Sequence, residues 1–239
     1  NALFDGNSFW QSLKLTFYYA LVPTFVGACM SLFLALMLVR KFKGKALALF
    51  LYRIPMVVPY LVGVSLVILL FANGGLVARA LYALDLIASP SDFTRLIQTE
   101  SGMGVMLVYL WKQVPFMTLI LYSNLLVLGR QDEESAKLLG AGTAQIFYHI
   151  TFPKMIPSLV TATLIVFAFN FGSFEVPFIL GAGFPNTLPV EAWRLFDSPD
   201  YANRPQAMAI VTLISLLSAA CLFAAFYLYR WFERYRGRG

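Results

Sequence analysis

The sequence predicts an all-α fold: a polytopic bundle of membrane-spanning helices, five of them in this chain. Two observations carry that expectation. Of the 239 residues, 59% are hydrophobic and only 13% charged, against about 25% charged in an ordinary soluble domain, and the mean hydropathy is +0.73. A soluble domain of this size has nowhere to hide so much apolar surface. The apolar residues also gather into five runs, at 13–39, 46–71, 103–128, 158–180 and 206–231. Each reaches the roughly 20 residues that a bilayer core requires, and the longer ones call for tilt or for a portion outside the hydrocarbon.

Basic residues orient the runs, because Lys and Arg near spans concentrate on the cytoplasmic side. Arg40, Lys41, Lys43 and Lys45 follow the first run, Arg130, Lys137 and Lys154 follow the third, and Arg230, Arg234, Arg236 and Arg238 form the tail. All eleven fall on one side, whereas Lys14, Arg79, Arg95, Arg194 and Arg204 are scattered over the longer segments opposite. The C-terminus is therefore expected in the cytoplasm and Asn1 outside. A polar start on the outer side predicts an upstream sixth helix missing from this chain, with 1–12 the external loop that follows it. The apolar start is not a secretory signal, since no basic region or cleavage pattern precedes it.

The outer segments are expected to be 1–12, 72–102 and 182–205. Within the second, Leu76, Val77, Leu81, Leu84, Leu86 and Ile87 predict a short interfacial helix over 76–87, broken at Ser89-Pro90. The third is rich in Gly and Pro and reads as turns. Cys29 and Cys221 lie inside apolar runs and read as two free, buried thiols; no metal-ligand spacing surrounds them.

The segment between the third and fourth runs is polar. Asp132 is placed to cap a helix, and Glu133 and Glu134 lie in its first turn, where the macrodipole favours carboxylates. Gly140 and Gly142 flank Ala141 and permit a sharp turn. Thr143 is placed to cap a second short helix, whose Ile146, Phe147 and Ile150 form an apolar stripe at helical spacing. Pro153 is expected to end it, and Pro157 to open the next span. Such a helix suits either a groove on a partner or the surface of a bilayer.

The spacing Glu134, Ala136, Gly140, Ile150, Pro153 resembles the "EAA" loop of ABC importer permeases, with Ser135 in place of the usual Ala and Phe152 in place of the usual Leu. The resemblance runs from about residue 13 to the tail and implies a single permease domain of the type I, MetI-like fold over 1–239, with an ATPase-docking loop at 129–157. It implies that 144–150 is the coupling helix seated in a cleft of the ATPase, that Glu134 braces the loop, that Gly140 and Ala141 form its turn, and that Ile146, Phe147 and Ile150 make contact. The chain carries no glycine-rich phosphate loop ending in Lys-Ser or Lys-Thr. It is thus expected to have no catalytic residues, no metal site and no cofactor of its own. ATP and Mg would belong to two separate ATPase subunits. The other implied partners are a second permease, a different one in preference to a copy, a solute-binding protein on the outside, and membrane lipid; nucleic acid is not expected. The implied location is the bacterial inner membrane.

Rare polar residues inside spans mark solute pathways. Glu175 lies in the stretch 170–177, Asn-Phe-Gly-Ser-Phe-Glu-Val-Pro, where Gly172 and Pro177 predict a broken helix and Asn170 and Ser173 add polar edges. Lys112 and Gln113 occupy the third run. Lys112 either pairs with Glu175 or, like it, meets solute. Tyr109 and Trp111 are further pathway candidates, along with Tyr52, Tyr60 and Tyr122, although aromatic residues in such chains mostly form interfacial belts. Asn124 reads as an interhelical bond, Arg53 as a side chain reaching to the surface, and His149 as contact surface. The segments 174–181 and 203–209 resemble permeases of the polyamine, iron(III), thiamine and aminoalkylphosphonate group, the polyamine branch first. An ion-gradient-driven transporter is the alternative, but it calls for inverted repeats and several intramembrane carboxylates. A membrane enzyme would need clustered acids, histidines or an activated nucleophile, and the single histidine argues against one.

Overall fold

A computed structural model describes residues 7–128 and 131–236. Arg130, Arg238 and the first six residues of the expected outer loop lie outside them. The described residues are helical with irregular connections: α1 (Asn7–Val39), α2 (Lys45–Val57), α3 (Tyr60–Phe71), α4 (Leu76–Ala83), α5 (Met103–Leu128), α6 (Gln131–Leu138), α7 (Thr143–Ile146), α8 (Phe152–Gly172), α9 (Glu175–Leu180), α10 (Leu188–Phe196) and α11 (Arg204–Arg236). A π turn, Phe147–Thr151, joins α7 to α8. Five segments are long and apolar enough to cross a membrane: Ser8–Val39, Tyr60–Ala83, Met103–Leu128, Thr143–Gly172 and Tyr201–Tyr227.

Helix α5 is the axis of the bundle and packs against α1, α2, α3, α8 and α9. Near its start, Val105, Val108 and Tyr109 are buried against Tyr19 of α1, Val64 of α3, and Val176 and Leu180 of α9. In its middle, Met117 meets Ala162 and Val166 of α8. Towards its end, Leu121 packs with Ala35 and Met155. A separate cluster of Phe9, Leu188, Ala192 and Ile210 joins α1, α10 and α11. Thr16 stitches that end together, since its hydroxyl donates to the Ser12 carbonyl at 2.7 Å and accepts the Leu188 N–H at 2.8 Å. Many large apolar side chains face outward, among them Phe25, Phe33, Phe50 and Phe223, as expected where lipid is the solvent.

Five expectations are corrected. The run 46–71 is not one helix. It breaks at Val58-Pro59, and the segment long enough to cross is Tyr60–Ala83, with α2 preceding the break. The run 158–180 breaks after Gly172, where Ser173 turns extended and α9 starts anew. The outer loop expected at 1–12 is already helical from Asn7, and the helix expected at 76–87 stops at Ala83. Cys29 is exposed and Cys221 partly so. Both are free and line an apolar groove of about 930 Å³ between α1, α8 and α11, because an apolar run in this fold faces outward as readily as inward.

Candidate functional site

The connection between α5 and α8 is built on one glycine. Gly140 has φ +84, a left-handed conformation that costs a side-chain-bearing residue about 1–2 kcal/mol. Its N–H bonds the Lys137 carbonyl, and the Ala141 N–H bonds the Ala136 carbonyl, each at 3.0 Å. This pair of bonds ends α6 as a Schellman motif. Gly142 then caps α7 with an extended backbone, so Thr143 is the first helical residue and not the cap.

Pro153 does not end the helix that follows. A proline ring presses on the carbonyl four residues earlier and offers no N–H. The π turn just before it widens the backbone there, and the Phe152 N–H bonds back to the Phe147 carbonyl. The helix therefore runs without a stop from Thr143 to Gly172, and Pro157 lies inside α8.

The wide turn also decides which side chains face out. Ile146 is buried, and Phe147 and Ile150 are half-buried. Phe147 packs edge-on to Tyr148 and against Phe152, and Ile150 lines a small cleft with Val39, Leu125 and Leu128. The expected contact stripe thus faces the chain itself. The exposed apolar edge consists of Leu138 and Leu139, which are 89% and 88% exposed, with Tyr148 at 66%. His149 is exposed and its Nδ1 lies 2.9 Å from the Gln145 carbonyl.

Two contacts clamp α6 onto the root of α8. The Thr151 hydroxyl donates to Glu133 Oε1 at 2.7 Å, and Lys154 pairs with Asp132. Asp132 lies one residue inside α6, so it acts as a tie and not as a cap. Glu133, not the exposed Glu134, makes the bracing bond.

The polar residues of the spans form two groups. In the first, Lys112 is only 7% exposed. Its Nζ donates to the Pro55 carbonyl at 2.8 Å and to the Val58 carbonyl, and lies 4.6 Å from the centre of the Tyr60 ring. Pro59 has no N–H, so Pro55 loses the helical donor that would normally reach it. Lys112 supplies the missing proton from another helix, and its charge sits at the C-terminal end of α2, where the macrodipole favours cations. It does not pair with Glu175, which is exposed in the first turn of α9.

In the second group, Gln113 and Asn170 face each other as reciprocal carboxamides. Gln113 Nε2 donates to Asn170 Oδ1, and Asn170 Nδ2 donates to Gln113 Oε1 and Thr24 Oγ1, each at 3.1 Å. All three are buried, so Asn170 binds α1, α5 and α8 together. Met56, Tyr60, Lys112, Gln113, Phe116 and Phe169 line a cavity of about 220 Å³, where the Tyr60 and Phe169 rings stack with centroids 4.9 Å apart.

The other candidates fall elsewhere. Tyr109 is fully buried; its hydroxyl is turned towards Ser173 without a bond of regular geometry. Trp111 lies over Gly63 and fills the space a side chain would occupy. Tyr52 shares a hydrogen bond with Thr118 at 2.9 Å, and Lys45 lies over the Tyr122 ring. Arg53 is exposed, and Asn124 Oδ1 is buried without a partner among the described residues. Sequence reasoning missed Thr24, Met56, Thr151, Leu138 and Leu139 as parts of these sites. Thr24 offered one signal, a polar residue in an apolar run; the two leucines offered none.

Residues 27–237 match the family of binding-protein-dependent transport system inner membrane components. The chain belongs to this family. It is 28% identical over 194 residues to a probable ABC transporter permease, y4oQ of Sinorhizobium fredii, covering 79% of this chain and 62% of that protein. It is 25% identical over 216 residues to the molybdenum transport system permease ModB of Escherichia coli, covering 87% of this chain and 90% of ModB. The fold matches the structure of a bacterial ABC transporter involved in the import of the acidic polysaccharide alginate, with a TM-score of 0.82 at 19% identity, over 96% of this chain and 81% of that one. Members of the family are ABC importer permeases, transport components of the inner membrane and not enzymes. The MetI-like helical fold is thus the observed one.

Proposed function

We propose that this chain is the membrane-spanning subunit of an ATP-driven, binding-protein-dependent importer that moves a small polar solute by alternating access. The observation that carries this reading is the loop between α5 and α8: a glycine turn presents an exposed apolar edge while two polar clamps fix it to a continuous span. In this reading Leu138, Leu139, Ala144 and Tyr148 enter a cleft on an ATPase subunit, with Gly140 and Ala141 shaping the turn. Glu134 and Ala136 lie on the helix that leads into it, and the half-buried Ile146, Phe147 and Ile150, with Pro153, carry motion into α8. Two such ATPase subunits bind ATP and Mg, and a second permease subunit, distinct in sequence, completes the pathway. A solute-binding protein delivers solute to the outer face; the alginate transporter was solved with a periplasmic protein carrying an alginate pentasaccharide, which supports a partner of that kind. The C-terminus lies in the cytoplasm and Asn1 outside.

The solute-facing group in this reading is Lys112 with its cavity. Glu175 and Ser173 stand at the α8–α9 break, a second polar edge of the pathway, whereas Asn170, Tyr109 and Trp111 hold the helices that form the wall. The polyamine-type expectation rests on segments 174–181 and 203–209 and on Glu175 and Glu191. Glu191 is engaged by Asn186 Nδ2 at 3.2 Å, and ModB is named for molybdenum, so support for a polyamine over iron(III), thiamine or an aminoalkylphosphonate is confined to those segments.

The test is reconstitution with the ATPase, sister permease and solute-binding protein that co-purify with this chain. Uptake that requires ATP and persists without an ion gradient is the expected result. Uptake that continues with ATP depleted and an ion gradient intact would replace this reading with a gradient-driven transporter.

A further inference from the structure

We propose that the cavity lined by Lys112 is a solute subsite for an anionic group, with Lys112 setting the sign of the charge it accepts. The inference rests on the importer reading and adds the chemical class of the solute.

Three features of the cavity point the same way. Lys112 is a nearly fully buried cation in the tenth position of a 26-residue span, and charges there are expensive and mark functional sites by default. Its partners are two backbone carbonyls and the face of Tyr60. The carbonyls, with the C-terminal end of α2 that they belong to, offset the ammonium charge only in part, and the ring face carries no net charge. Among the described residues, the sole ion pair is Lys154 with Asp132, so no carboxylate offsets Lys112. Gln113, the other polar wall, is occupied by Asn170. The remaining lining, Met56, Phe116, Ile165, Val166 and Phe169, is apolar and does not screen the field. Such a chamber, with one sign of charge and walls of low polarity, concentrates ions of the opposite sign and excludes like charge. A sulfate-like oxyanion or a carboxylate on a small sugar fits that field; a polyamine does not.

Removing Lys112 would also orphan two carbonyls, so a cleaner test adds a charge beside it. Met56 lines the cavity from α2 and is 37% exposed. Met56→Glu places a carboxylate against Lys112 while leaving its carbonyl bonds intact, and Met56→Gln is the uncharged match. In proteoliposomes holding the complete complex, ATP-driven uptake is measured for sulfate, molybdate and an alginate trisaccharide, with spermidine and maltose as cationic and neutral probes. The expected result is uptake of an anion by the native complex and a KM at least tenfold higher in Met56→Glu than in Met56→Gln. ATP-driven uptake of spermidine or maltose but of no anion overturns the proposal and leaves the importer reading standing. An equal KM for the anion in the two Met56 variants overturns it as well. Uptake independent of ATP removes the importer reading and this proposal with it.

Discussion

The Nζ of Lys112 lies 2.8 Å from the carbonyl oxygen of Pro55, the acceptor that Pro59 leaves without a donor. A side chain from α5 thereby completes the last turn of α2. Replacement by Met leaves that buried carbonyl and the part-buried Val58 carbonyl without a donor, at a cost of about 1–3 kcal/mol. Lys112→Met should melt several degrees below the native protein in a detergent thermal-shift assay. An unchanged midpoint would mean that the bond does not hold the break.

Gln113 and Asn170 form the second tie, and their coupling is measurable. Gln113→Leu or Asn170→Leu alone strands a buried carboxamide, whereas the double variant removes both. Interhelical bonds of this kind average about 0.6 kcal/mol in membranes, reaching about 1.7. The double variant should therefore be less destabilised than the sum of the singles by roughly that amount. Additive effects in the cycle would show that the two side chains do not support each other.

Gly140 and Gly142 separate conformation from space. A Cβ at either glycine meets nothing within 4 Å, but only Gly140 has positive φ. Gly140→Val should strain the turn by about 1–2 kcal/mol and uncouple ATP turnover from uptake, with turnover continuing while uptake falls at least tenfold. Gly142→Ala should behave as native. Equal uptake in the two variants would dismiss the turn as a coupling element.

Leu138 and Leu139 are the most exposed leucines of the described residues. Replacing both by Ser should leave the fold intact, because neither packs in the bundle, and should abolish co-purification of the ATPase subunits. Retention of the ATPase at native stoichiometry would move the docking surface elsewhere.

Gly102 has φ +64, and a Cβ there would collide with the Tyr19 ring. Gly102→Ala therefore combines backbone strain with a clash at the entry of α5, and should lower the thermal midpoint more than Gly142→Ala does. Matching midpoints would show that this approach is loose.

The sequence was legible where its punctuation is local. The third run ends where α5 does, at Met103 and Leu128, because Gly102 breaks the backbone before it and polar residues follow. The second run was misread because Val58-Pro59 interrupts hydrogen bonding without interrupting hydrophobicity. Pro153 carried the opposite error: it has the chemistry of a terminator, but a wider turn absorbs it. Ile146, Phe147 and Ile150 show why periodicity alone does not assign a docking face. It finds an apolar stripe, not what the stripe faces, and a π turn rotates the register after it. The Lys112–Pro55 bond spans 57 positions, so no local pattern announces it. The glycine turn, by contrast, was visible from its residues.

The helix that begins beside the glycine turn and ends at Gly172 spans 30 residues, or about 45 Å at 1.5 Å per residue. Its backbone stays helical throughout, the π turn at Phe147–Thr151 and the prolines at 153 and 157 included, so movement at the loop is carried along it into the bundle. A tilt of about 5° at the loop would swing the far tip by roughly 4 Å, comparable to the diameter of a small ion. Asn170 rides near that tip, bonded to Gln113, the immediate neighbour of Lys112. In the importer reading, a stroke at the loop would thus arrive beside the chamber that Lys112 lines.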